Sequence, residues 1–114
     1  MNNLTLVGRL ATDITLDTPK DKPIATFRLA VDRQTGNGAD FIPVKCFGTA
    51  AETHARYLYR GRQVAITGRL AQSQWTDANG NRRERLEVIA SRVKYLGRVP
   101  AGNGGEEESD DSDE

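Results

Sequence analysis

A small all-β barrel with one helix is the fold class this sequence predicts, on three observations. Five stretches alternate apolar residues with others at period two, the mark of strands that bury one face. One stretch, between the third and fourth of these, changes to helical spacing. Gly8 and Gly68 interrupt two otherwise apolar strand patterns, as glycine does where a strand bends round a barrel. With 114 residues the chain is one domain with a tail.

The elements follow in order. Residues 4–11, L-T-L-V-G-R-L-A, form the first strand, with Leu4, Leu6, Gly8 and Leu10 on one face and Thr5, Val7 and Arg9 on the other. Residues 17–23, D-T-P-K-D-K-P, hold two prolines and four charges and read as a loop. Residues 24–31 form the second strand, with Phe27, Leu29 and Val31 on one face, and the polar Q-T-G-N-G-A at 34–39 leads to the third. In that third strand, residues 40–48 (D-F-I-P-V-K-C-F-G), Ile42, Val44 and Cys46 share one face and Phe41, Pro43, Lys45 and Phe47 the other. Pro43 has no N–H to give a ladder, so an edge, a bulge or a break is expected there.

Residues 49–60 form a helix of about three turns. T-A-A-E at its start is a capping-box pattern, with Thr49 and Glu52 closing the first turn, and Gly61 is placed to end it as a C′ residue. Residues 63–75 return to period two, with Val64, Ile66, Gly68 and Leu70 facing one way and Arg69, Ala71, Ser73 and Trp75 the other. D-A-N-G-N at 77–81 is a hairpin turn, signalled by Asn79-Gly80. In the last strand, residues 83–95, Leu86, Val88 and Ala90 alternate with Arg85, Glu87 and Ile89. Three strands, a helix and two strands is the order of the OB-fold, a five-stranded Greek-key barrel. It should occupy residues 1–100. Residues 101–114 have no apolar anchor and are expected to be a disordered acidic tail.

Composition narrows the function. One cysteine excludes an intrachain disulfide and suits a reducing compartment, with Cys46 a small apolar residue. No basic start leads into an apolar run, and no apolar segment is long enough to span a bilayer, so neither signal peptide nor membrane span is expected and the location is cytoplasmic. The formal charge is zero, but it is unevenly distributed. Residues 1–105 carry sixteen Lys and Arg against nine Asp and Glu, a net of +7, and residues 106–114 carry seven acids and no base. Twelve of the sixteen cations are Arg, the side chain better suited to phosphate and aromatic partners. A basic body favours polyanions. His54 and Cys46 lack the company that a zinc site or a catalytic thiol needs, and no phosphate-cradling G-x-x-x-x-G-K-[ST] loop is present. No enzymatic activity, metal or cofactor is expected.

Phe41 and Phe47, flanking Lys45, are the candidate site. Bases stack on such rings and a phosphate meets the ammonium. A strand buried on both faces, with Lys45 reaching out to solvent, is the other reading of these residues. Trp75, turned from the apolar face at a strand end, joins them, with a core tryptophan as its alternative. Arg9, Arg69 and Arg85 share faces with these residues and are the candidate phosphate contacts beside Lys45. Tyr57 and Tyr59 fall on the helix, where aromatics more often pack than bind, and are left out.

The chain resembles the bacterial single-stranded DNA-binding proteins over residues 1–97. The resemblance rests on M-N-N-L-T-L-V-G-R-L-A-T-D at 1–13, F-R-L-A-V at 27–31 and V-K-C-F-G at 44–48, then A-E at 51–52, Y-L-Y-R-G at 57–61 and V-A-I-T-G-R-L-A-Q-S-Q-W-T-D-A-N-G at 64–80. It implies an OB-fold without enzymatic activity that assembles as a homotetramer and coats single-stranded DNA without sequence preference in replication, recombination and repair. The family's stacking aromatics fall on Phe41, Phe47 and Trp75. Two departures stand out. Many members carry another aromatic within the region of residues 31–39, and V-D-R-Q-T-G-N-G-A has none, so binding should lean more on arginine. Family tails end in acids followed by a hydrophobic Pro-Phe tip that docks replication and repair proteins, whereas S-D-D-S-D-E keeps the charge without the tip. Recruitment of such partners through the tail therefore lacks its usual hook. Two other function classes fit the residues: a different OB-type nucleic-acid binder, such as a cold-shock-like RNA protein or a primosomal accessory protein, and an oligomeric interaction module whose aromatics are buried between subunits.

Overall fold

A computed structural model of the chain describes residues 1–97. The elements are β1 (Leu4–Leu10), β2 (Thr15–Asp17), β3 (Ile24–Asp32), β4 (Ala39–Phe47), α1 (Thr49–Tyr57), β5 (Gln63–Thr76) and β6 (Arg82–Tyr95). The sheet order is β1-β5-β6-β4-β3-β2, and an additional β1–β3 pairing joins the two ends of the five long strands into a ring. This is the OB-fold that the element order predicts. The anticipated tail and the domain boundary at residue 100 lie outside the described residues.

The alternation seen in the sequence sets the core. Leu10 of β1, Phe27 and Leu29 of β3, Val44 and Cys46 of β4 and Val64 and Ile66 of β5 are all buried, each on its strand's apolar face. Gly8 and Gly68 lie where strands crowd. A Cβ on Gly8 would run into the carbonyl oxygen of Ala30, and one on Gly68 into that of Ile89. Only glycine allows such an approach of two backbones.

Several expectations are corrected. Thr15–Asp17 pairs with β3 as a sixth strand, so Asp17 ends a strand and the loop begins after it. A three-residue edge strand is too short to show a period. The helix is nine residues and not twelve, and its N-cap is Gly48, with φ 79° and no side-chain cap. Thr49 is already inside it, so the capping box does not form. Leu58 ends the helix in an extended conformation, because its buried side chain joins the core. Gly61 is therefore not the C′ residue. It adopts φ 91° and its N–H bonds to the carbonyl of Leu10, while Leu10 N–H bonds to the carbonyl of Arg62, which continues the β1–β5 contact beyond Arg9↔Gln63. At Pro43 the structure shows the expected edge, with neither a break nor a bulge. The β3–β4 register runs without a shift from Ile24↔Phe47 to Asp32↔Ala39. The parallel β4–β6 ladder holds only Val44↔Val88 and Lys45↔Ile89, so Pro43 falls just outside it, where β4 has one sheet neighbour.

β5 and β6 are the longest strands, and their outer halves leave the barrel. Nothing in β5 after Gly68 is buried, nor anything in β6 before Glu87. The free arm therefore projects roughly 25 Å. The pairing shifts by one residue between Thr67 and Gly68, where Ser91 is the extra residue on β6 and its hydroxyl donates to the Thr67 carbonyl at 3.1 Å. A bulge reverses the alternation. Val88 before it and Val93 after it are consequently both buried, although five residues apart. At the arm's tip Asp77 organises the turn: its Oδ1 accepts from the N–H groups of Asn79 and Asn81, and its Oδ2 pairs with Arg83 at 2.9 Å. These bonds hold the Asp77 carboxyl below its ordinary range, Arg83 contributing most. The turn is a five-residue loop, residues 77–81, with Gly80 at φ 82°.

Candidate nucleic-acid interface

Sheet register places the candidate residues on one surface. Lys45 of β4 stands beside Ile89 of β6, and Ile89 beside Arg69 of β5. Along the same face of β5 and β6 follow the pairs Ala71↔Glu87, Ser73↔Arg85 and Trp75↔Arg83. Residues directly opposite in a ladder share a face. Phe41, Lys45 and Phe47 on β4 therefore look outward together with Arg69, Arg85 and Trp75. The three rings are 53%, 49% and 46% exposed for Phe41, Phe47 and Trp75, so neither core alternative, a doubly buried strand or a core tryptophan, describes this chain. Phe47 forms one wall of an open cleft with residues 19–24 and with Thr49 and Glu52 of the helix. The guanidinium of Arg85 stands 5.9 Å from the Trp75 ring centre, within cation–π range.

Arg9 shares the outward parity but lies round the barrel. Register sets it beside Ala30, which pairs with Phe41, so one strand separates Arg9 from that ring. Its Nη1 donates to the Gly61 carbonyl at 3.3 Å. Two further cations on this surface went unnoticed in the sequence. Arg28 of β3 stands opposite Pro43, between the rows of Phe41 and Lys45, and Arg83 stands opposite Trp75. Arg28 alternates with Phe27 and Leu29, so its outward direction was legible. Its neighbours were not, since strand pairing is absent from the sequence. Among the described residues Arg28 and Arg69 have no ion pair, whereas Arg83 is held by Asp77.

The remaining aromatic and polar groups sort by burial. Tyr57 and Tyr59, expected to pack, are 54% and 42% exposed. Tyr59 lies beyond the helix end, beneath the Arg62 guanidinium at 5.9 Å. His54 is buried and shares a 2.6 Å hydrogen bond between Nδ1 and the Tyr95 hydroxyl. Burial pushes its imidazole down to about 4 and the Cys46 thiol up to about 12. Both are therefore uncharged near neutral pH. Among the described residues no three His, Cys, Asp or Glu side chains gather as metal ligands, and no helix is long and apolar enough to cross a membrane.

Fold and surface define an OB-fold domain that presents separated aromatic rings among cations on its outer sheet, an arrangement suited to a single strand of nucleic acid. The single-strand binding protein family model matches residues 1–96, and the chain belongs to that family. Named relatives agree. A single-stranded DNA-binding protein of Clostridium tetani is 41% identical over 102 residues, covering 84% of this chain and 70% of the relative. One of Caldanaerobacter subterraneus is 39% identical, covering 84% and 68%, and one of Treponema pallidum is 34% identical, covering 90% and 61%. Members of this family are binding proteins and not enzymes.

Proposed function

We infer that this protein binds single-stranded DNA without sequence preference, coating and protecting it during replication, recombination and repair in the cytoplasm, where it would associate with the nucleoid. The observation that carries the reading is the set of three half-exposed rings on one sheet face, interleaved with Lys45, Arg69 and Arg85. Rings on a rigid sheet accept any base, because every base has a π-face, and the cations follow the backbone. The strand would cross β4 between Phe47 and Phe41 and continue along the β5–β6 arm to Trp75, with Arg9 and Arg28 contacting backbone that runs round the barrel. Titration with oligo-dT should quench the fluorescence of Trp75, the chain's one tryptophan. Single-stranded RNA and duplex DNA should compete poorly. RNA competing as well as DNA would favour a different OB-type binder, and fluorescence unmoved by any nucleic acid would leave only an interaction module.

The working unit is proposed to be a homotetramer. Val7 on β1 and Leu70 and Leu86 on the arm are 49%, 41% and 56% exposed, apolar surface that symmetric assembly would cover. Sedimentation equilibrium at micromolar concentration should show the tetramer, and a monomer alone would end this reading. Replication and repair proteins remain the proposed partners of the DNA-bound form.

A further inference from the structure

A buried carboxylate lies in the middle of this cation-bearing surface. Glu87 is 4% exposed, although it follows Arg83 and Arg85 along the same outward face of β6. Its Oε2 accepts from the Ser73 hydroxyl at 3.3 Å and pairs with Lys45 Nζ at 3.2 Å. Its Oε1 is buried and has no hydrogen bond. That oxygen faces Arg85 Nη2 at 3.5 Å, a contact of charges without hydrogen-bond geometry. Two cations that suit phosphate therefore already share one negative charge. Leaving that carboxylate unpaired where it is buried would be strongly unfavourable, so both cations cannot leave it for DNA.

We propose that Glu87 is a positioning residue of the DNA-binding face: it holds Lys45 and Arg85 in place and cancels one of their two charges, so that the pair presents one net positive charge to the DNA backbone. The proposal rests on the single-stranded DNA reading above. The structure separates the two cations. The Lys45 side chain is 29% exposed and makes the shorter contact, so it is the counter-ion of Glu87. The Arg85 side chain is 45% exposed and makes the longer contact. With five N–H donors it can face the carboxylate and still reach a phosphate.

Salt dependence separates this role from a merely structural one. For single strands the log–log slope of affinity against salt is about −0.7 per phosphate neutralised. Binding of a fluorescein-labelled oligo-dT of about ten nucleotides, enough for one domain, is followed by anisotropy across a salt series. Glu87→Gln keeps the side chain's shape and frees both cations. The slope should steepen by about 0.7, which is about a fivefold gain in affinity, relative to the parent, for each tenfold dilution of salt. In Glu87→Gln/Lys45→Gln only Arg85 remains charged, and the slope should return to that of the parent. The double variant also replaces the buried pair as a unit, so it serves if the single variant does not fold. A folded Glu87→Gln protein with the parent's slope overturns the proposal. So does a double variant flatter than the parent by about 0.7, the result expected if Lys45 contacts phosphate independently of Glu87. A parent protein that fails to bind oligo-dT overturns the functional reading itself, and the inference with it.

Discussion

Removing the Trp75 ring tests the stacking surface most directly. A tryptophan carries on the order of 250 Å² of surface, of which 46% is exposed here, or roughly 115 Å². A stacked base covers one side of the ring, about half of that area, which at about 25 cal/mol per Å² is worth about 1.4 kcal/mol. That value lies within the range of about 1–3 kcal/mol found for single stacking aromatics. Trp75→Ala should therefore bind oligo-dT about tenfold more weakly. Its fold should survive, because Trp75 lies near the end of an arm in which neither strand buries a residue at that level. The substitution removes the intrinsic fluorophore, so the assay is anisotropy of labelled oligo-dT, with circular dichroism to confirm folding. Tyr57→Ala is the control. Tyr57 is also half-exposed but sits on the helix, off the β4–β6–β5 face, and its loss should change affinity less than twofold. A folded Trp75→Ala protein with the parent's affinity would refute the placement of the strand, as would an equal loss in Tyr57→Ala.

Other outcomes follow from the same structure. The His54 imidazole is pushed down to about 4 in the fold, so the unfolded chain takes up its proton first as pH falls through about 6.5. Stability should then be complete above pH 7 and fall between about 6.5 and 4, by about 2 kcal/mol after discounting for partial solvation. Urea denaturation at a series of pH values measures this, and His54→Gln should flatten the profile. Gly68→Ala drives a Cβ into the Ile89 carbonyl, with the Ala90 Cα also 2.9 Å away. Neither backbone atom can swing aside, and a loss of about 1–3 kcal/mol or more is expected in the same assay. We propose that the seven acids following G-N-G-G at 102–105 compete with DNA for the basic body, and ending the chain at residue 105 removes them. Affinity for oligo-dT should rise at low salt, the salt slope should steepen, and the two proteins should converge at high salt. Equal affinity at low salt would dismiss the tail as a competitor.

The sequence by itself determined the class of fold and, in β1, β3 and β4, the side of the strand that meets solvent. Alternation in residues 4–10, 24–31 and 40–47 separates Leu10, Phe27, Leu29, Val44 and Cys46 from Arg9, Arg28, Phe41, Lys45 and Phe47, and the burial of these residues follows it. Period two suffices because a strand that buries one face must turn the other outward. The same reasoning turned Trp75 away from the core. What it did not determine are features that depend on a second strand. Whether Gly48 or Thr49 caps the helix depends on where β4 delivers the chain, and the end of the helix at Tyr57 depends on Leu58 being drawn into the core. The Ser91 bulge exchanges the faces of β6, and no local pattern shows it because it is a mismatch of length between two partners. Lys45, Ser73, Arg85 and Glu87 come from three strands, and Glu87 in isolation reads as one more exposed acid on an alternating strand. Only the register of β4 against β6 and of β6 against β5 sets it between two cations, buried in the middle of the face proposed to bind DNA.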